Sequence, residues 1–273
     1  MTPLSHGYAD LPEVRLHYVE AGDGPLVVLL HGFPEFWYGW RRQLGPLAEA
    51  GFRVVAPDMR GYNLSSKPRG ISSYDIGLLA QDVAQLIEER GERKAHVAGH
   101  DWGGAVAWVT AGFHPEVVER LAILNAPHPR VFIEHLKSPR QLARSWYMGF
   151  FQLPWLPEQL GRRVLPRGFP PAERARYEEA YAQPGAMTAM FNYYRAMSRD
   201  TPWGAQRRIR TVHAPTRVIW GERDRYLGPG LAEPHRADVP NLERVIRLDT
   251  SHWVQHEAPE EVAELLVEFF SLT

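Results

Sequence analysis

Gly99-His100-Asp101-Trp102-Gly103 follows the short apolar run Ala95 to Ala98 and opens a stretch with helical spacing. Two glycines flanking a polar residue between a strand and a helix is the spacing of a nucleophile elbow, a sharp turn whose strained backbone pushes one side chain into the open. Here that side chain is a carboxylate. Aspartate is ionised near pH 7 and attacks an electrophilic carbon without a neighbouring base, unlike a serine in the same place. Attack on a carbonyl would give an anhydride that falls back, whereas displacement at a saturated carbon gives a stable alkyl ester. Displacement at carbon is the implied chemistry.

The rest of the chain suits a compact enzyme. With 273 residues, of which 44% are hydrophobic, it can bury a large core without dividing into independent domains. A formal net charge of -1 gives no basic field for nucleic acid or an anionic membrane. Met1 to Leu11 lacks a basic segment followed by an apolar one, and no uninterrupted apolar run approaches the ~18 residues of a membrane span. A cytoplasmic protein is expected. The absence of cysteine removes disulfides, a thiol nucleophile and thiolate metal sites from consideration.

Short β-rich runs alternate with amphipathic ones. Leu26 to Leu30, Arg53 to Ala56, Ala95 to Ala98, Leu121 to Leu124, Thr216 to Trp220 and Arg244 to Leu248 are of strand length and bounded by turn residues, as in a buried parallel sheet. Tyr74 to Arg90, ended by Gly91, and Pro259 to Phe270 carry apolar residues at helical spacing. Strands alternating with helices indicate βαβ crossovers and an α/β fold with a mostly parallel sheet flanked by helices. From about Pro127 to Trp203 the rhythm breaks. Prolines, large aromatics and helical patterns such as Pro171 to Tyr181 and Ala186 to Ser198 replace the strands. We read residues 127–203 as a helical cap, or lid, inserted into a core of residues 1–126 and 204–273, on the side where the strands' carboxyl ends bind ligands.

Two further residues fall where a triad needs them. Asp224, in Gly221-Glu222-Arg223-Asp224, and His252, in Ser251-His252-Trp253, each follow a strand, giving the chain order nucleophile, acid, histidine. Glu222 is the competing acid, and Asp224 is preferred for a tight imidazole contact. Other histidines have duller readings: His31 and His100, beside glycines, bond to backbone; His96, His114 and His235 have no partner in view; His256, one helical turn after His252, faces outward. His31-Gly32-Phe33-Pro34-Glu35, directly after Leu26 to Leu30, can aim the Phe33 N–H at the site. With the N–H of Trp102 from the helix start it would form an oxyanion hole for ester hydrolysis. Phe33, Pro34, Phe36, Trp37 and Trp102 are the candidate substrate-binding walls.

Through His31-Gly32-Phe33-Pro34-Glu35 with Trp37-Tyr38 and Trp40-Arg41, through Gly99-His100-Asp101-Trp102-Gly103-Gly104, and through His252 before the final helix, the chain resembles the epoxide hydrolases of the α/β-hydrolase fold. The resemblance spans nearly the whole chain. It implies two lid tyrosines that hold and protonate the epoxide oxygen, and the matching positions are Tyr147, in Ser145-Trp146-Tyr147-Met148-Gly149, and Tyr194, in Phe191-Asn192-Tyr193-Tyr194-Arg195. Tyr193 is the fallback, but helix neighbours point about 100° apart, so only one of the pair can face Tyr147. Haloalkane dehalogenases share the aspartate elbow but usually add an asparagine or second tryptophan as halide donor, often where this chain has Phe33. Fluoroacetate dehalogenases typically carry arginine where this chain has Trp102. An epoxide's departing alkoxide is too basic to leave without an acid, and a halide is not, so the tyrosines favour an epoxide. The expected partners are a small-molecule epoxide and water, with no nucleic acid, membrane, metal or organic cofactor; a homodimer is left open. A non-catalytic ligand receptor on the same fold is the reading from another class.

Overall fold

The computed structural model describes residues 3–199 and 210–272. Eight strands form one sheet: β1 (Ser5–Asp10), β2 (Arg15–Ala21), β3 (Leu26–Leu30), β4 (Arg53–Pro57), β5 (Ala95–His100), β6 (Val118–Leu124), β7 (Thr216–Gly221) and β8 (Leu242–Leu248), in the order β1-β2-β4-β3-β5-β6-β7-β8. From β4 to β8 all neighbours are parallel, and β1 and β2 add an antiparallel edge. The central strands are apolar on both faces because helices cover both. All of β3, Leu-Val-Val-Leu-Leu, is buried. This is the fold expected from the alternating runs.

Several elements differ from expectation. The polar, half-exposed β1 carries too little apolar periodicity to announce itself. β8 starts at Leu242 and is largely exposed between its ends, because it is the sheet's edge and needs only one covered face. Helix α2 (Ile76–Glu89) starts two residues later than expected, where Asp75 caps it by accepting the Gly77 N–H at 2.8 Å. Gly91 ends that stretch at φ 83°, a conformation that favours glycine.

Helix α1 (Arg41–Glu49) packs with the last helix, Pro259–Phe270, and α2 packs with α3 (Trp102–Phe113). Between β6 and β7 the described residues form helices only: α4 (Pro129–His135), α5 (Pro139–Arg144), α6 (Trp146–Phe150), α7 (Leu156–Val164), α8 (Arg174–Ala182) and α9 (Ala186–Arg199). α8 starts at Arg174 rather than Pro171, because Pro170 closes a turn by accepting the Glu173 N–H at 2.9 Å. The expected return to the core at residue 204 lies outside the described residues. Buried tyrosine hydroxyls fasten this insertion over the carboxyl ends of the strands. Tyr181 donates to the Pro34 carbonyl and Tyr193 to the Arg60 carbonyl, both at 2.7 Å. Among the described residues no helix is long and apolar enough to cross a membrane.

Candidate active site

β5 runs straight into α3, and Asp101 is the hinge. Its backbone stands at φ 50° and ψ -118°, a region that costs a non-glycine residue about 1–3 kcal/mol. The strain therefore sits on the carboxylate residue itself. The neighbouring glycines serve close approach instead: a Cβ on Gly103 would lie 2.2 Å from the Leu30 carbonyl oxygen, and one on Gly32 would lie 2.6 Å from the Asp101 Cβ. Without a side chain at Gly32, the next residue can donate to Asp101, and the Phe33 N–H reaches its Oδ2 at 2.9 Å. Trp102 opens α3, where first-turn N–H groups lack intrahelical partners and the helix dipole favours negative charge.

Asp101 Oδ1 lies 3.5 Å from His252 Nε2, and His252 Nδ1 donates to Asp224 Oδ2 at 2.6 Å. Asp224 is held by three more donors. The Tyr226 and Leu227 N–H groups reach Oδ1 at 2.8 and 2.9 Å, and the Asn125 Nδ2 reaches Oδ2 at 2.7 Å. Burial alone would raise the Asp224 pKa, but His252 and these bonds hold it below the usual carboxylate range. Glu222, the competing acid, points outward beside Arg247. Asn125 went unsuspected in the sequence. It stands at φ 41° just past β6, and its Oδ1 accepts the Gly221 N–H at 2.9 Å, so one amide ties the ends of β6 and β7 to the acid. An asparagine at the carboxyl end of a central strand was its only signal.

Burial opposes a charge on His252, but Asp224 and Asp101 on either side outweigh it and push its pKa up to about 10. Two flanking carboxylates therefore favour the charged form of His252. A folded pKa above the unfolded 6.5 contributes stability that is complete below that pH and is lost as pH rises through about 10. Melting temperature is therefore expected to fall more steeply between about pH 7 and pH 10 in the native protein than in His252→Gln. Parallel slopes would contradict the assignment.

Opposite Asp101, the rings of Tyr147 (α6) and Tyr194 (α9) meet edge to face with centroids 6.0 Å apart. Burial, and then the nearby Asp101 charge, push both hydroxyls above the ordinary tyrosine range, so both stay protonated and able to donate. Tyr193 turns away, with its hydroxyl committed to Arg60. The neighbouring Arg195 fixes the pair: its guanidinium donates to the carbonyls of Phe151 at 3.0 Å and Leu153 at 2.7 Å and to Glu158 at 2.7 Å, clamping α9 onto the residues after α6.

The walls differ in part from expectation. Phe33, Pro34 and Trp102 line the cavities that reach Asp101. Phe36 and Trp37 do not. The Trp37 N–H is bonded to Asp58 at 3.0 Å, its ring meets His6, and Phe36 packs on Tyr177, so both belong to the core. Tyr226 and Trp253, beside His252, line the site unannounced. His256 does not face outward. It bonds the fully buried Glu35, which also accepts Gln255 Nε2 at 2.9 Å and stands 3.4 Å from His100. His100 Nε2 donates to the His252 carbonyl at 2.9 Å, a backbone contact across the site rather than within its own turn. His31 donates to the Gly32 carbonyl as its neighbouring glycine suggested. His235 and His114 pair with Glu134 and Glu116, and His96 stacks on Phe270.

Known proteins resemble this chain in both sequence and shape. Residues 25–259 match the family model described as the alpha/beta hydrolase fold. The AB hydrolase superfamily protein YfhM of Bacillus subtilis is 45% identical over 94% of each chain. Epoxide hydrolase 4 of Homo sapiens is 36% identical over 97% of this chain and 78% of its own. The crystal structure of a variant epoxide hydrolase from Bacillus megaterium superposes with a TM-score of 0.88 at 32% identity, covering 97% of this chain and all of that one. Epoxide hydrolase A of Mycobacterium thermoresistibile gives 0.84 at 30% identity, with 98% of each chain covered. Matched this broadly in both respects, the chain belongs to the α/β-hydrolase family, within its epoxide hydrolase group.

Proposed function

We propose that this enzyme opens epoxides and hydrolyses them to vicinal diols through a covalent ester on Asp101. The observation that carries the reading is the tyrosine pair: Tyr147 and Tyr194 line the same apolar cavities as the Asp101 carboxylate. An epoxide oxygen leaving as alkoxide needs such acids, which contribute roughly a hundredfold to ten-thousandfold.

Asp101 attacks one ring carbon while Tyr147 and Tyr194 donate to the oxygen, forming a hydroxyalkyl ester. Esterification removes one of the two anions that hold the proton on His252. Its pKa then falls, its proton passes through water to the tyrosinate left when the ring oxygen was protonated, and the neutral histidine, still oriented by Asp224, can take a proton from water. That water attacks the ester carbonyl, the charge that builds on oxygen meets the Phe33 and Trp102 N–H groups, and the intermediate collapses by breaking the bond to the alkyl oxygen, which takes the proton from His252 and leaves as diol; the Asp101 carboxyl then returns its own proton to His252. The sequence of charges makes His252 a base only when a base is needed. Side chains and water suffice for each step.

A parallel assay of terminal, styrene-type and internal epoxides beside short haloalkanes and haloacetates tests the class. Diol release without halide is the expected result. Halide release with epoxides left intact would assign displacement of halide instead, and ligand retention without turnover of either class would assign a receptor.

A further inference from the structure

The net charge of -1 averages over an uneven chain. Residues 137–169, from α5 to the turn after α7, hold six Lys and Arg against one Glu, a net +5 that leaves -6 for the rest. That one acid, Glu158, is spent on Arg195 at 2.7 Å. Lys137, Arg140, Arg162, Arg163 and Arg167 are exposed and have no ion-pair partner among the described residues. The same segment exposes apolar surface. Six of the twelve large apolar side chains exposed among the described residues lie within it, headed by Trp146 and Trp155, each 68% exposed.

Helix α7 shows why these side chains stay outside. Pro157 and Gly161 face inward, and Gly161 lies so close to α9 that a Cβ there would stand 2.5 Å from the Met187 side chain. At about 100° per residue the helix then turns Leu160, Arg162, Arg163 and Val164 outward. On one flank Leu160 and Val164 meet Trp146 at the outer end of the larger cavity that reaches Asp101, about 770 Å³. On the other flank Arg162 and Trp155 share a groove. Tryptophan, leucine and unpaired cations thus occupy one face of the cap. Exposed apolar surface gathered in this way marks an interface. A second copy presenting the same face would bring like charges together. A surface of lipid phosphates instead answers the cations, the interfacial preference of tryptophan and the apolar stems of arginine at once.

We propose that this face of the cap docks peripherally on an anionic phospholipid bilayer, with Trp146 and Trp155 at headgroup depth and the cations among the phosphates. The attraction belongs to the cap and is hidden in the charge of the whole chain. Resting on the proposed epoxide chemistry, docking also opens the larger cavity onto the bilayer, so that an apolar epoxide dissolved there reaches Asp101 without crossing water.

Co-sedimentation of the whole protein with vesicles tests the docking, phosphatidylcholine alone against phosphatidylcholine mixed with phosphatidylglycerol. The native protein is expected to bind the mixed vesicles about tenfold or more tightly than the neutral ones, with the difference shrinking as salt is added. Arg162→Gln combined with Arg163→Gln should weaken binding to mixed vesicles by about tenfold, and Trp155→Ser should weaken binding to both kinds. Both variants should keep the native melting temperature, because all three side chains are exposed. Turnover of a water-soluble epoxide should also be unchanged in them, while turnover of an apolar epoxide carried in mixed vesicles falls with binding. Binding to neither vesicle, equal binding to both, or binding unmoved by the paired arginine change overturns the docking face. A dimer formed without lipid and dispersed by the same substitutions would give the face to a second copy and overturns it too. Failure of the native protein to open either epoxide would instead overturn the epoxide reading, with the sedimentation result still deciding the docking.

Discussion

Replacement of His252 by glutamine is expected to leave the first half of the reaction running and stop the second. Glutamine keeps a polar group near Asp101 but cannot accept a proton from water. Alkylation, which needs the carboxylate and the two tyrosines, should proceed. Hydrolysis of the ester should slow by about a thousandfold or more, the scale seen when a triad member is removed. The enzyme then accumulates as a covalent adduct. Intact mass spectrometry after exposure to a good epoxide should show an increase equal to the whole substrate, and peptide mapping should place it on Asp101. Unmodified protein, with turnover equally slow from the first cycle, would contradict the division of labour between Asp101 and His252.

The second large effect concerns the leaving group. Tyr147→Phe and Tyr194→Phe each remove one hydroxyl and keep the ring that packs against its neighbours, so the fold should survive both. Each single change is expected to slow alkylation by about a hundredfold. The double change should bring the loss to about ten-thousandfold, because the alkoxide then departs without an acid. Rapid-mixing measurement of adduct formation isolates this step from hydrolysis. A double variant that alkylates within tenfold of the native rate would remove both hydroxyls from the chemistry. Tyr193→Phe serves as a control, since that hydroxyl is spent on the Arg60 carbonyl.

How much of this was legible in the sequence follows from how local each signal is. Asp101 announces itself because an elbow is a five-residue pattern, and Asp224 and His252 because each follows a β-rich run in the order the fold imposes. The choice of Tyr194 over Tyr193 rested on the resemblance, helix geometry adding only that one of the two can face Tyr147, and the structure turns the pair apart in that way. The supporting partners were harder to see. Asn125 meets Asp224 across 99 residues and His256 meets Glu35 across 221, contacts that neither spacing nor periodicity reports. His256 was placed outward because only its spacing from His252 could be counted, and the buried acid that draws it inward lies on another element. Phe36 and Trp37 misled for a related reason. Proximity in sequence to Phe33 says nothing about which side of the turn a ring occupies, and Asp58, which anchors Trp37, comes from the end of β4. The edge strand β1 was faint because a half-exposed strand needs few apolar residues, whereas β8 was legible from Arg244 on.

The central claim is that the substrate becomes esterified to Asp101 before water enters. A single turnover in water enriched in heavy oxygen, with enzyme in excess over epoxide, tests it most directly. Attack of water on the ester carbonyl leaves the label in the Asp101 carboxyl group, and the first diol carries an unlabelled oxygen taken from the enzyme. Label in the diol after that one turnover, with none in the peptide containing Asp101, would mean that water opens the ring itself and would contradict the account.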